Sequence, residues 1–497
     1  MGDKSNILRR GRFEGNQDPE ISRFLSSINQ DLEIMEADLW VGKAHAIMLQ
    51  KQGIISGAHC TAILKAIDSI ARQGREGLLG SGAEDVHVFI ETEIIEQLGE
   101  EVGGRLHTAR SRNDEVSTCL RIALRDRILT AVDLTTDLVD TLLRTGSNHL
   151  STLMPGFTHL QHAQPTTLAH HLLSHAVAFH RDIDRLRSCY RRVNISPLGA
   201  GAMASTSHPI DPHLTARLLG FDGVALNSMD AVSSRDFLLE TLCCLSVLGV
   251  TVSRLAEEII LWNTAEFGFV TLPDEHSSTS SIMPQKRNPD AVEITRARVS
   301  TVIGSLSSAL SILKSLPQSY NRDLQEANKH LWAATEATNS ILSVMGDVMG
   351  KITYHKGRMS EAANIGCPWA TDLADELVRR FGLPFRTAHT VVAKVVKEWG
   401  GKSTGKISDL LRVASMDSGW EVVMQPGEIE EITDIGRSIE RRKISGGPSA
   451  ESVSASIRRL RDALDDDRRW LEDERQSIAD ARKRTEEMQR ELESRES

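Results

Sequence analysis

Residues 277–290 read SSTSSIMPQKRNPD and place two adjacent hydroxyls, Ser280 and Ser281, shortly before Lys286 and Asn288. A serine hydroxyl is a poor base in water. It becomes usable where an ammonium group and backbone N–H groups stabilise its alkoxide away from solvent. The stretch therefore has parts that could take a proton from carbon and hold a carboxylate. Glu293 follows about one turn into the next helical segment, where it could orient a histidine brought from elsewhere. A solvated serine-rich loop is the plain alternative, and composition alone favours it.

Three other stretches carry chemistry-bearing residues. HTARSRND, residues 107–114, puts Arg110, Arg112 and Asn113 at a helix start, where free N–H groups and the helix dipole attract an anion. A guanidinium can grip a carboxylate bidentately, but solvated arginines around a cap would read the same way. GFTHLQHAQPTT, residues 156–167, sets Thr158 and His159 ahead of a helix. A histidine there could act as general acid or base near neutral pH, or be purely structural. His171 and His175 lie four apart, as two metal ligands on one helix face would. A zinc hydrolase needs a third ligand and usually a glutamate, and neither is apparent nearby, so packed or hydrogen-bonded histidines are the stronger reading. The run GAGAMAS, 199–205, follows no predicted strand and reads as a flexible loop rather than a dinucleotide site.

These segments need a scaffold, and the pattern around them is helical. Apolar residues recur four apart at Val116, Leu120, Leu124 and Ile128, which predicts a helix from Ser111 to about residue 150. Others are predicted from Thr166 to about 193, from Asp230 to about 263, from Asn288 to about 316 and from Asp323 to about 349. Asn288 is placed as the cap of the fourth and Pro289 as its first helical residue. Helices of about 30 residues are roughly 45 Å long and cannot bury themselves singly, so several chains are expected to share one bundle. The predicted units are an N-terminal helical domain (1–109), a long-helix bundle (110–357), a small helical domain (358–455) and a charged helical tail (456–497), the last read as a mostly solvated face. Only 4% of residues are aromatic, which leans toward helices packed by aliphatic side chains.

The formal net charge of −10 argues against a duplex-binding surface. Six scattered cysteines without a C-x-x-C pair suit reduced thiols in the cytoplasm. The uncharged run TLCCLSVLGVTVS is too short to span a bilayer, and no membrane partner is expected.

Taken together, SSIMPQKRNPDAVE resembles the signature loop of the aspartase/fumarase superfamily, and HTARSRND and GFTHLQHAQP resemble the other two active-site segments of its argininosuccinate lyase branch. GRF at 11–13, NSMDAVSSRDF at 227–237 and YNRDLQE at 320–326 are similar to the same branch, and the likeness runs to about Val453. The resemblance implies an all-α, three-domain fold and a homotetramer built round a 20-helix bundle, each active site shared by three subunits. It implies elimination of fumarate from an N-substituted aspartate without metal or organic cofactor. By resemblance Ser280 is the base, and His159 paired with Glu293 serves the leaving nitrogen. Arg112, Asn113, Thr158, Ser281, Lys286 and Asn288 then surround the succinyl carboxylates, while Ser27, Asp85, Arg235, Tyr320 and Gln325 match further substrate contacts.

The departures concern the leaving-amine side. Ala109 replaces a glycine, Leu25 an asparagine and Thr279 a glycine. Asn328 stands where the branch has a lysine, and Lys329 comes one place later, about 100° round a helix. The expectation is therefore a carbon–nitrogen lyase preferring an aminopolycarboxylate such as ethylenediamine-N,N'-disuccinate, with argininosuccinate as the alternative. A non-catalytic structural homologue is the rival from another class, and the full catalytic set argues against it. A metallohydrolase built on the histidine run is a third.

Overall fold

The computed structural model describes residues 18–400 and 404–496; the GRF segment lies outside the described residues. After two short helices (Pro19–Leu25 and Ile28–Asp31) come three longer ones: α1 (Met35–Lys51), α2 (Gly57–Gly80) and α3 (Val86–Leu98). Five long ones follow: α4 (Arg112–Ser147), α5 (Leu168–Val193), α6 (Asp236–Trp262), α7 (Asp290–Leu313) and α8 (Leu324–Lys351). They pack in a closed ring, α4 on α5, α5 on α6, α6 on α7, α7 on α8 and α8 back on α4. The aliphatic stripe of each helix meets its neighbours there, as Leu120, Leu124 and Ile128 of α4 do, all buried.

The ring leaves apolar side chains outside. Val177 on α5, Val247 and Val250 on α6, and Ile294, Ile303 and Leu310 on α7 are all exposed. The run TLCCLSVLGVTVS, expected to be too short to span a bilayer, lies within α6, which by length and composition is able to cross a membrane, with mean hydropathy 1.6 over 18 residues. Half of that window is buried against α5, α7 and α8.

A second core gathers Leu373, Leu377, Val391, Val395, Ile407, Leu411 and Ile429 from the short helices between residues 370 and 433. The charged C-terminal stretch is a single helix, α9 (Ala450–Glu496). Its alternating charges flank a buried stripe of Ile457, Leu460, Leu464, Leu471, Ile478 and Leu492, which lies along α4, α2 and α5. Thr485 Oγ1 accepts from Trp40 Nε1 (3.3 Å) and donates to the Leu218 carbonyl (2.9 Å), fixing its far end to α1.

Two turns hold candidate active-site segments in uncommon backbone. Ala109, just before α4, has φ +60°. The stretch 153–167, expected only to lead into a helix, forms a hairpin of β1 (Leu153–Thr158) and β2 (Gln161–Thr167). Its two-residue turn is His159–Leu160, both at φ +56°, the geometry that hairpins of this length demand and that usually recruits asparagine and glycine. Left-handed backbone at a residue with a Cβ costs about 1 kcal/mol or more. Ala109→Gly is accordingly expected to raise the unfolding midpoint by an amount equivalent to about 1 kcal/mol. A midpoint that stays or falls in thermal or denaturant melts would contradict this.

Candidate active site

The sequence-identified residues fall into three groups, and among the described residues no hydrogen bond or ion pair joins one group to another.

The first group lines a cavity of about 180 Å³ between the N-terminal helices and the ends of α4 and α8. Ser27, Asp85, Arg112, Asn113, Arg235, Tyr320, Gln325 and Asn328 all reach its wall. Ser111 caps α4, and a reciprocal bond from its own N–H to Asp114 completes a capping box, so Arg112 and Asn113 leave the first turn in fixed directions. Arg112 is ion-paired with Asp85, which also caps α3 through Val88 N (2.8 Å). Burial would raise the Asp85 carboxyl, but the adjacent guanidinium holds it below the usual carboxylate range. Arg110 was expected beside them as an anion donor. Instead it turns inward and pairs with buried Glu115 at 2.9 Å. Behind it, His87 bonds Asp38 at 2.8 Å; burial would lower that imidazole, yet Asp38 holds it up at about 10. The start of α4 is thus rooted in a buried charge network.

The loop 199–205 is anchored rather than free. Asp114 Oδ2 accepts from Gly199 N (3.0 Å) and Gly201 N (2.9 Å), while Asn113 Nδ2 donates to the Ala202 carbonyl (2.9 Å). Leu25, where an asparagine was expected, contributes through its carbonyl, which takes bonds from Arg322 and from Gln325 Nε2 (3.2 Å).

Two charges in this cavity are uncompensated by an ion pair. Arg235 is buried, and its donors go to the Val232 and Ser234 carbonyls, with no carboxylate partner among the described residues. Burial pulls its guanidinium down to about 10. Asp31, which sequence reasoning missed, also lines the cavity. Ser27 Oγ donates to it at 2.7 Å and Val86 N at 3.2 Å, and burial pushes its carboxyl up to about 6. A lone aspartate four residues after a serine carries no sequence signal; only the fold brings it here. Asn328 is buried with its Oδ1 lacking a partner, whereas Lys329 points outward and pairs with Glu326.

The second group is the hairpin tip. Thr158 and His159 are exposed and line a cleft of about 950 Å³ with His171, Glu258, Trp262 and Arg442. Edge-to-face contacts of Phe157 with His162 (5.0 Å) and Phe267 (5.7 Å) brace the strand that carries them.

The third group is the serine loop. A short ladder of β3 (Ser278–Thr279) and β4 (Arg287–Asn288) closes its neck. Asn288 is therefore a strand residue paired with Ser278, and α7 begins at Asp290 with Pro289 as its cap; the expected cap at Asn288 is off by one because the ladder claims that backbone. Ser280 Oγ accepts from Ile282 N (3.3 Å) and Met283 N (3.1 Å). These amides face the oxygen on which alkoxide charge would develop. Ser281 and Lys286 are exposed, and the Lys286 ammonium has no ion-pair partner among the described residues. Glu293 is half-buried in the first turn of α7, unbonded to His159 within the chain.

Between them the three groups offer a hydroxyl on backbone donors, a free cation and a cavity of mixed charge. Comparison with known proteins gives the chain a family. Residues 11–304 match the lyase family model, and residues 368–439 match that of the argininosuccinate lyase C-terminal region. Argininosuccinate lyase of Methanoculleus marisnigri is 45% identical over 479 residues, 96% of this chain and 97% of its own length. That of Methanothrix thermoacetophila is 46% identical over 480 residues, 96% of each chain. Among solved structures, an EDDS lyase variant with bound fumarate superposes with a TM-score of 0.85 at 31% identity, over 99% of this chain and 98% of that one. The chain belongs to the argininosuccinate lyase family of the aspartase/fumarase superfamily and is a fumarate-releasing carbon–nitrogen lyase.

Proposed function

We propose that the preferred substrate is argininosuccinate, cleaved to arginine and fumarate, and that the site is completed in a homotetramer. The sequence favoured an aminopolycarboxylate because Asn328 removes the lysine expected at the amine end. The cavity supplies the reason to reverse that order. Arg112 and Arg322 are matched by Asp85 and Glu84, which leaves Arg235 as the free cation and Asp31 as the free acid. One carboxylate site beside one ammonium site suits the zwitterionic end of arginine. A second succinyl group would bring two carboxylates to a single guanidinium. The greater identity to the argininosuccinate lyases than to the EDDS lyase points the same way. Arg235, buried without a carboxylate partner among the described residues in a cavity that Asp31 also lines, is the observation that carries this reading.

In the reaction, Lys286, Asn288, Arg112, Asn113, Thr158 and Ser281 hold the succinyl carboxylates. Ser280 takes the proton from the carbon beside one of them, and its electron pair moves into that carboxylate as an aci-anion. Collapse of the aci-anion forms the double bond of fumarate and expels nitrogen, which His159, oriented by Glu293, protonates. Preorganised positive potential at the doubly charged intermediate is the main catalytic demand. No metal or organic cofactor is called for. The three groups come from different subunits. The exposed apolar residues of α5, α6 and α7 form the face on which copies pack, and four rings of five helices make a 20-helix bundle. The compartment is the cytoplasm.

Fumarate absorbance with each substrate tests the proposal. Argininosuccinate should show a kcat/KM at least about tenfold above ethylenediamine-N,N'-disuccinate, the size of one lost charge contact. Asn328→Lys should move that ratio about tenfold further toward argininosuccinate by restoring the cation that the branch carries at the amine end. An unchanged ratio means residue 328 does not face the amine.

A further inference from the structure

The histidines of HHLLSH have no part in the lyase chemistry above, although the fold gives them what the sequence lacked. His171 and His175 stand one turn apart on α5, so both imidazoles project from one face. α6 packs on that face and delivers Glu258 from near its C-terminal end. Glu258 Oε2 is 2.6 Å from His171 Nε2 and 2.7 Å from His175 Nε2. Three ligand atoms thus converge from two long helices packed in the bundle. Trp262 braces His171 edge-on, with ring centroids 4.9 Å apart. His175 is buried, while His171 and Glu258 open onto the cleft.

Three comparable clusters already contain a cation. Asp38, His87 and Glu115 have Arg110; His180, Asp184 and Asp467 have Arg187; Glu275, His276 and Asp347 have Lys351. At Glu258, among the described residues, no lysine or arginine intervenes and only the two imidazoles face the carboxylate.

We propose that His171, His175 and Glu258 bind a first-row divalent transition metal ion, with zinc the best match, as a clamp between α5 and α6. Two imidazoles and one carboxylate are a known three-ligand zinc set, and the fourth position would face the cleft. Bonds of about 2.0–2.2 Å in tetrahedral array put ligand atoms roughly 3.4 Å apart. Each present hydrogen bond therefore opens by about 0.7 Å, which side-chain rotation supplies without moving either helix. On binding, the Nε2 protons pass to Nδ1 so that the lone pairs face the ion, and Glu258 exchanges two hydrogen bonds for one metal bond.

The full-length protein, stripped with chelator and dialysed against zinc chloride, should retain about one zinc per chain by mass spectrometry. Its melting midpoint should rise on zinc addition, since the ion binds the folded state. Glu258→Gln keeps an acceptor for both imidazoles and so preserves the packing, yet loses the anionic ligand. It and His171→Ala should each forfeit retained zinc and midpoint shift. A stripped wild-type protein that takes up no zinc overturns the proposal. So does a Glu258→Gln protein that retains as much as wild type.

Discussion

Replacing Ser280 by alanine should cut fumarate release roughly a thousandfold, within the range a positioned general base contributes. The substitution removes the atom that Ile282 N and Met283 N address, but it leaves the β3–β4 neck intact because the ladder is made of backbone bonds. Assembly and melting behaviour should therefore match wild type, which separates lost chemistry from lost fold. Activity within tenfold of wild type would move the base to Ser281, exposed one residue on. The two serines differ in environment: Ser280 Oγ is held by two main-chain donors, the arrangement that lowers the cost of an alkoxide.

Lys286→Met should lower kcat/KM by about a hundredfold or more, the loss typical of removing one preorganised donor from a developing oxyanion. Lys286 is exposed and makes no ion pair among the described residues, so the change breaks no structural contact. Charge develops on the carboxylate mainly in the transition state, so the loss should fall on kcat as well as KM. Inhibition by added fumarate should weaken in parallel. A variant with wild-type kcat and only a raised KM would place the lysine in ground-state binding alone.

The long helices were legible because their apolar residues repeat every three to four positions over many turns, and α4 and α8 fall within a few residues of expectation. The ends were less so. Residue 288 looked like a cap because asparagine before proline caps helices, but a two-residue ladder outcompeted it. The 153–167 hairpin escaped notice since its turn, His159–Leu160, carries none of the residues that usually mark left-handed backbone. A similar logic applies to charge. Arg110 and Arg112 look equivalent in a string, yet side chains two apart on a turn point in different directions, one into the core and one into the cavity. Asp31 and Glu258 were invisible because they gain meaning only from partners far away in sequence, Val86 in one case and His171 with His175 in the other. What the sequence offers in advance is the proposed succinyl-side set, whose members cluster in three short motifs. The amine side is scattered over single positions from 27 to 328, and there the sequence motifs put the aminopolycarboxylate first, whereas the greater identity to argininosuccinate lyases favours argininosuccinate.

One measurement tests the central claim most directly: a structure of the assembled protein with an N-substituted aspartate held by an Asn288→Ala or Lys286→Met variant too slow to consume it. The account predicts Ser280 Oγ from one subunit within about 3–3.5 Å of the carbon that loses its proton, close enough for transfer, with Arg112 and His159 of other subunits on the same succinyl unit. A trapped substrate with the hydroxyls of Ser280 and Ser281 both remote from that carbon, in every subunit and every position of the 277–290 loop, would contradict it.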